Sequence, residues 1–324
     1  MHVKQIEVKW NPDFSIYASE PFLKTVGDEY GWIGGFDDNG KLRCILPYTI
    51  IRKAIFRMVR FRVETIPIDD DLNLDEEKSF LNSAVKYFRT IGTDMIIPAT
   101  TNTIFRTYPD GAIVAPYGTY IIDLSQTEEK LWSDIHSNHR NKVRRAIKKG
   151  VEIRSGMDYI DTAYELIRDT FKRSKLGFMS YKDFVRLILS LGENVEVFIA
   201  YCKGIIQGCL MTPFSGYSAY ALHSGRIPKS TTGTMNLLRW EAIRQFHEMG
   251  IKRFDSVGVR INPEKGSKQE GLMMFKKRFG GNLVQGYMWK YSINPLKYTV
   301  YSLAVRLLRG GDIVDSECHK LASE

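Results

Sequence analysis

Apolar positions along the chain fall into two sets of short extended runs, each followed by a longer run with helical spacing. GWIGGFDDNGKLRCILPYTI, residues 31–50, reads as strand, turn and strand, because the Asn39-Gly40 pair supplies the positive φ angles of a tight hairpin. VEVFIAYCKGIIQGCLMTPF, residues 195–214, repeats the pattern around Gly204, and SGYSAYALHSG, residues 215–225, predicts a third strand after it. An amphipathic helix that stops at glycine and runs straight into a short strand follows each hairpin: FLNSAVKYFRTIGTDMIIPA, residues 80–99, and NLLRWEAIRQFHEMGIKRFDSVG, residues 236–258. Gly92 and Gly250 stand where a left-handed helix terminus favours a residue without Cβ. The same elements in the same order predict a structural duplication.

Between the units, IDLSQTEEKLW places Ser125 and Glu128 at capping-box spacing, which predicts a helix that opens there and closes at Gly150. Leu131, Ile135, His139, Val143 and Ile147 share one stripe of it, with room for a kink near Ser137. VEIRSG then predicts a strand, DTAYELIRDTFKRS and YKDFVRLILSL predict helices, and YTVYSLAVRLLRGG predicts a further amphipathic helix with a glycine stop. Low-complexity linkers are absent from the sequence, so the two halves are expected to pack on each other. His139, on the apolar stripe, is expected to be a hydrogen-bonded core residue rather than a catalyst.

The segment 136–150 carries Arg140, Lys142, Arg144, Arg145, Lys148 and Lys149 and no acid. Arg140 with Arg144, and Arg145 with Lys149, are like-charged i, i+4 pairs that repel one another with nothing inside the run to relieve them. Either the stripe packs and the cations are simply solvated, or the repulsion is tolerated for an anion. Guanidinium groups suit phosphate because they bind it in a bidentate fork.

Composition narrows the partners. The 324 residues, 44% hydrophobic and 26% charged, suffice for a sizeable core and by length suggest two domains. A formal net charge of +9 favours nucleic acid, phosphorylated substrates or a membrane surface. Cys44, Cys202, Cys209 and Cys318 show no CxxC or CxxH spacing, so neither a zinc site nor a disulfide framework is expected and a reducing cytoplasm fits. The histidines have no ligand-type spacing beyond the 136/139 pair, so no metal is expected. MHVKQIEVKWNPDF lacks the apolar core and cleavage site of a signal peptide, and no apolar run reaches the roughly 18 residues of a membrane span. The expectation is a cytoplasmic protein that at most touches the inner face of the membrane peripherally.

The order YIIDLSQTEEKLWSDIHSNHRNKVRRAIKKGVEI, then LLRWEAIRQFHEMGIKRFDSVGV, then EGLMMFKKRFGGNLV resembles the FemABX peptidyltransferases and their wider relatives with tandem GNAT-like folds, over most of residues 115–295. The resemblance implies an α+β protein of two tandem GNAT-like domains, mixed sheets flanked by helices. Residues 1–150 would form the first, with a C-terminal helix 295–324 packing back on it, and 151–294 the second, holding the active site. The implied activity is transfer of an aminoacyl group from aminoacyl-tRNA to an amine of a phosphate-bearing cell-envelope precursor. Similar chains imply the alternative of an acyl-coenzyme A donor acting on a polysaccharide precursor or other amine. The coiled-coil arm of some members is missing, which marks the compact type. The family's FK-x-x-F motif falls on Phe275, Lys276 and Phe279, and implies that Lys276 stabilises the oxyanion of the tetrahedral intermediate. A fixed ammonium is a good partner for that charge. Read without the resemblance, Lys276, Lys277 and Arg278 are a surface cluster between core residues, and Lys277 is the substitute should the alignment slip by one. Arg140 and Arg144, with Lys148 on the same helix face, are the implied phosphate contacts.

Two loops add candidates. GVRINPEKGSKQEG, residues 258–271, sets Arg260, Lys265 and Lys268 among glycines as a flexible cationic rim for a phosphate-bearing substrate. RIPKSTTGTMNLL, residues 226–238, leads from a strand to a helix opening near Thr234 and brings Arg226, Lys229, Thr232, Gly233 and Thr234 to its N-terminus, where free N–H groups and the helix dipole favour an anion. Ordinary GNAT acyltransferases hold the coenzyme A pyrophosphate there, usually with a Q/R-x-x-G-x-G/A loop. This stretch departs from that pattern, and a plain Ser/Thr helix cap is the other reading. Asp255, on the strand before the first loop, is a candidate for positioning the amine or a structural residue. Acyl transfer to an amine needs no nucleophilic triad. The reading from another class is a non-catalytic nucleic-acid or anionic-membrane binder that uses the basic helix.

Overall fold

The computed structural model describes residues 1–321. Its first unit runs β1 (His2–Ile6), α1 (Glu20–Val26), β2 (Glu29–Phe36), β3 (Leu42–Lys53), β4 (Phe56–Phe61), β5 (Ile66–Pro67), α2 (Leu74–Thr90) and β6 (Met95–Ile96). Then come β7 (Ile113–Asp123), α3 (Glu128–Asp134) and α4 (Ser137–Lys148). The second unit is β8 (Val151–Ser155), α5 (Ile160–Arg173), α6 (Tyr181–Leu191), β9 (Val195–Cys202), β10 (Ile205–Pro213), β11 (Ala219–Tyr220), β12 (His223–Arg226), α7 (Thr234–Glu248), β13 (Arg253–Asp255) and α8 (Lys268–Lys277). β14 (Asn282–Ser292), α9 (Pro295–Arg309) and α10 (Ile313–Leu321) follow.

The duplication is visible in the pairing. In the first unit β4 and β6 are parallel and joined by α2; in the second β11 and β13 are parallel and joined by α7. Each helix ends at a glycine with φ +73°, Gly92 or Gly250, which any residue with a Cβ would adopt at a cost. β14 pairs with β7 along Asn282–Lys290 and then with β6 at Tyr291 and Ser292, so one long sheet crosses both units. A second sheet, in the order β12-β10-β9-β8, belongs to the second unit alone. Its two faces are covered differently: α5 and α6 lie over a core shared with Tyr17, Phe22 and Trp32 of the first unit, whereas α4 and α7 lie over Phe198, Ala200 and Leu210. The shared core holds the halves together.

Four local expectations are corrected. The Asn39-Gly40 turn has positive φ only at Gly40, because Asp37–Lys41 closes as a wider loop in which the Asp37 carboxylate accepts from the N–H groups of Asn39 and Lys41. The third strand over 215–225 is two: Ala219–Tyr220 pairs with β13, then the chain crosses so that His223–Arg226 pairs with β10. The central helix is capped by Thr127, not Ser125, whose hydroxyl donates to Asp123 instead. The kink foreseen near Ser137 is present as a break at Ile135, where the backbone is extended and His136 caps α4. Successive i, i+4 steps drift around α4, so Leu131, Ile135, His139, Val143 and then Ala146 are buried but Ile147 is exposed. α4 itself packs on α7, in one apolar cluster with Val151 and Phe198, so the expected boundary at 150 falls inside a packed layer of the second unit.

Candidate active site

The crossing between β11 and β12 has a chemical consequence. Ala221 N–H still donates to Asp255 of β13, and the next residue, Leu222, donates to Met211 of β10, so the sheet opens into a wedge after this point. In the first unit, β4 pairs with β3 and β6 through the same residues, Met58 and Val59, and no such wedge forms. Below the wedge lies a cleft of about 690 Å³, walled by α4, α5, the 224–236 segment and α8.

The floor of the cleft is the N-terminus of α7. Gly233 is its N-cap at φ +93°, with no side-chain cap and no acid in the first turn. A Cβ there would lie 2.1 Å from the Lys142 carbonyl, so only glycine lets α4 and α7 approach this closely. The loop before it is pinned by Thr231 N–H donating to Gln207 Oε1 at 2.8 Å and by the Thr234 hydroxyl donating to Thr231 O at 2.7 Å. Asn236, 5% exposed, also lines the cleft, and its Nδ2 has no acceptor among the described residues. Four cations surround this floor: Lys142, Arg173, Arg226 and Lys268. The corresponding helix of the first unit is built the opposite way. α2 starts with a closed Asn73–Glu76 capping box and has Asp75, Glu76 and Glu77 in its first turn, which repel an anion.

The wall made by α8 carries the second part of the site. Gly271, Leu272 and Phe275 face the cleft, and Lys276 turns from them toward the end of β13. There Val257 and Gly258 both adopt positive φ, +52° and +54°, unusual for a β-branched residue. The turn is held by the Asp255 carboxylate, which accepts from Thr119 Oγ1 at 2.5 Å and from Val257 N–H at 2.7 Å. It presents the carbonyls of Val257 and Gly258 to the Lys276 ammonium, which donates to both. Burial, with the Arg239 guanidinium adding to it, pushes Lys276 down from the usual lysine value to about 7. Burial pushes the Asp255 carboxyl up. Arg239 is itself buried, donates to Ser256 Oγ at 2.8 Å and lies against Phe254, Phe275 and Phe279. His139 of α4 packs on the rings of Phe275 and Phe279, tying the basic helix to α8. Its Nδ1 is buried without a partner among the described residues, a departure from the hydrogen-bonded residue expected.

The sequence candidates divide. Arg226, Thr232, Gly233, Thr234 and Lys268 line the cleft, and Lys268 also donates to Ser174 Oγ at 2.6 Å. Lys229 and Lys265 lie outside its lining. Arg260 is anchored away from it: its Nε is 3.1 Å from the buried Glu317 carboxylate, and the neighbouring Val259 is bonded to Gly118 of β7, so this end of the 258–271 loop is a fixed edge and not a flexible rim. Arg140 is spent on the α3–α4 junction, where its guanidinium donates to the carbonyls of Ser133 and Ile135. Arg144 stacks over Trp132 on the outer side of α4, and Lys148 is exposed. The cleft takes Lys142 from that helix instead. Sequence reasoning missed Lys142, Arg173 and Asn236 as lining residues. Lys142 stood in the basic run, but only the pitch of the broken helix shows which cation turns inward.

A profile of the Acetyltransferase (GNAT) domain matches residues 137–269, which include α4, the wedge and the α7 N-terminus. No curated protein sequence matches the chain. Among solved structures, FemX superposes with a TM-score of 0.68 at 14% identity, covering 93% of this chain and 99% of that one. L-PGS from Bacillus licheniformis gives 0.52 at 12%, covering 86% and 90%. A tandem GNAT protein from the clavulanic acid biosynthesis pathway gives 0.51 at 10%, covering 90% and 99%. The chain thus has the FemX-like tandem GNAT fold, and its GNAT domain places it among acyl-transfer enzymes.

Proposed function

We propose that the protein transfers an aminoacyl group from aminoacyl-tRNA to an amine of a phosphate-bearing cell-envelope precursor, using its second unit. The observation that carries this reading is Lys276, whose ammonium is fixed by two backbone carbonyls beside a cationic cleft. Two of its N–H bonds are committed and the third remains for a substrate. As the amine nitrogen attacks the ester carbonyl, an N–C bond forms and the carbonyl oxygen becomes an oxyanion, which that N–H stabilises. Collapse breaks the C–O bond, and the leaving ribose oxygen takes up the proton that the amine loses. Asp255 shapes the turn that holds Lys276. The open N-terminus of α7, with Lys142, Arg173, Arg226 and Lys268, receives the phosphate-bearing part of a substrate.

The outer face of α4 supports the tRNA donor. Arg144, Arg145, Lys148 and Lys149 form no ion pair with a carboxylate among the described residues, and Lys142 joins that face to the cleft. An acyl-coenzyme A donor is the second reading, favoured by the match of the GNAT domain to the segment that contains the cleft. Equilibrium competition at near-physiological salt decides between them. Preference for aminoacylated over uncharged tRNA supports the first. Saturable acetyl-coenzyme A binding, with only salt-labile tRNA association, replaces it with the second.

A further inference from the structure

Helix α9 has two apolar faces, and the described residues cover only one. Tyr298 and Tyr301 pack on Met58, Met95 and Ile97 of the first unit. On the opposite side, Leu296, Val300, Leu303 and Leu307 follow i, i+4, i+7, i+11 spacing and remain 54–86% exposed. The helix has no acid between Pro295 and Arg309, and carries Arg306 and Arg309 in its last turn. Beside its first turn stands the tip of the β3–β4 hairpin, joined to it by Lys297 Nζ donating to Ile55 O at 3.0 Å. That tip adds an exposed Ile55 and an exposed Lys53. A soluble monomer rarely leaves a contiguous apolar ridge of this kind bare.

We propose that α9 and the Lys53–Ile55 tip dock the protein on an anionic lipid bilayer, with the helix lying in the plane of the interface and its leucine ridge at the acyl boundary. The inference is independent of the donor and acceptor proposed above. Charge selects the occupant. Two-fold pairing with a second copy would bring together two helices that each carry Lys297, Arg306 and Arg309 and no acid to oppose them, whichever way they run. The nearest acids, Asp312 and Asp315, are held by Lys290, and although Asp315 also stands 3.9 Å from Arg306, that guanidinium stays 58% exposed. An anionic surface neutralises those cations and accepts a leucine ridge without matching its shape.

The test is flotation of the full chain with phosphatidylcholine vesicles, with and without phosphatidylglycerol. The wild type should float with the anionic vesicles. Leu296→Ser/Leu303→Ser/Leu307→Ser should lower the bound fraction at least about ten-fold at an unchanged unfolding midpoint. Arg306→Glu/Arg309→Glu should weaken it, and Leu189→Ser, an exposed leucine on α6, should leave it unchanged. The proposal is overturned if the wild type does not float, if the triple variant floats equally, or if the wild type is a dimer that the triple variant converts to monomer. Loss of binding on Arg144→Glu/Lys148→Glu, with the α9 variant floating normally, also overturns it, because the docking face is then α4.

Discussion

Lys276 shows how much one residue's surroundings decide. Its place in an FK-x-x-F motif is readable in the sequence, but the two carbonyls that aim it arise from a positive-φ turn eighteen residues away, which no local pattern announces. Lys276→Ala should lower kcat by about 10²–10³ while the unfolding midpoint stays near the wild-type value. Because the charged form is the one that holds an oxyanion, and its pKa is about 7, the chemical step should slow as pH rises through that value. Lys276→Arg keeps its charge and should remove this descending limb; an unchanged limb means another group produces it. His139 makes a separate prediction about stability. Burial first, then the cations Lys142, Arg278, His136 and Arg239, push its pKa down from 6.5 to about 4. The unfolded chain therefore binds a proton that the folded one refuses, and stability falls as pH drops from about 6.5 toward 4, by up to about 3 kcal/mol. Comparing urea midpoints at neutral and acidic pH for wild type and His139→Phe checks this: the variant should lose less on acidification, and equal losses would assign the effect elsewhere.

Among the elements, α4 is the one whose role changed most between sequence and structure. Its composition announced an anion-binding face, and its apolar stripe announced a buried side, but the break at Ile135 set which cations serve which purpose. Arg140→Ala should destabilise the α3–α4 junction by about 1 kcal/mol and leave the salt dependence of tRNA binding unchanged, because its guanidinium already serves two carbonyls. Arg144→Ala/Lys148→Ala should flatten the salt slope by roughly 0.7 for each phosphate that is no longer neutralised. Titrations over a range of salt concentrations separate the two variants. Gly233 belongs to the same helix-to-helix approach. A methyl group at φ +93°, 2.1 Å from the Lys142 carbonyl, should cost about 1–3 kcal/mol in Gly233→Ala and weaken donor binding with it, measured by urea unfolding and by the competition experiment.

Across the whole molecule, β14 joins two units that pair their own strands separately. Lys290 on it is 3% exposed and donates to Asp312 at 2.8 Å and Asp315 at 2.7 Å, fixing the start of α10 against the long sheet. Lys290→Met takes the buried cation from both carboxylates, leaving Asp315 only the more distant Arg306, and should reduce the free energy of unfolding by about 3 kcal/mol at unchanged urea m-value. The duplicated hairpin–helix–strand order, the glycine helix stops and the basic run were legible in the chain because each depends on residues within a turn or two of one another. Tertiary structure alone decided the split of 219–226 between two sheets, the inward turn of Lys142, the capture of Arg260 by Glu317 and the bare face of α9. Each of those depends on which distant strand or helix a residue meets, and hydrophobic periodicity fixes the face an element buries without naming the neighbour that covers it.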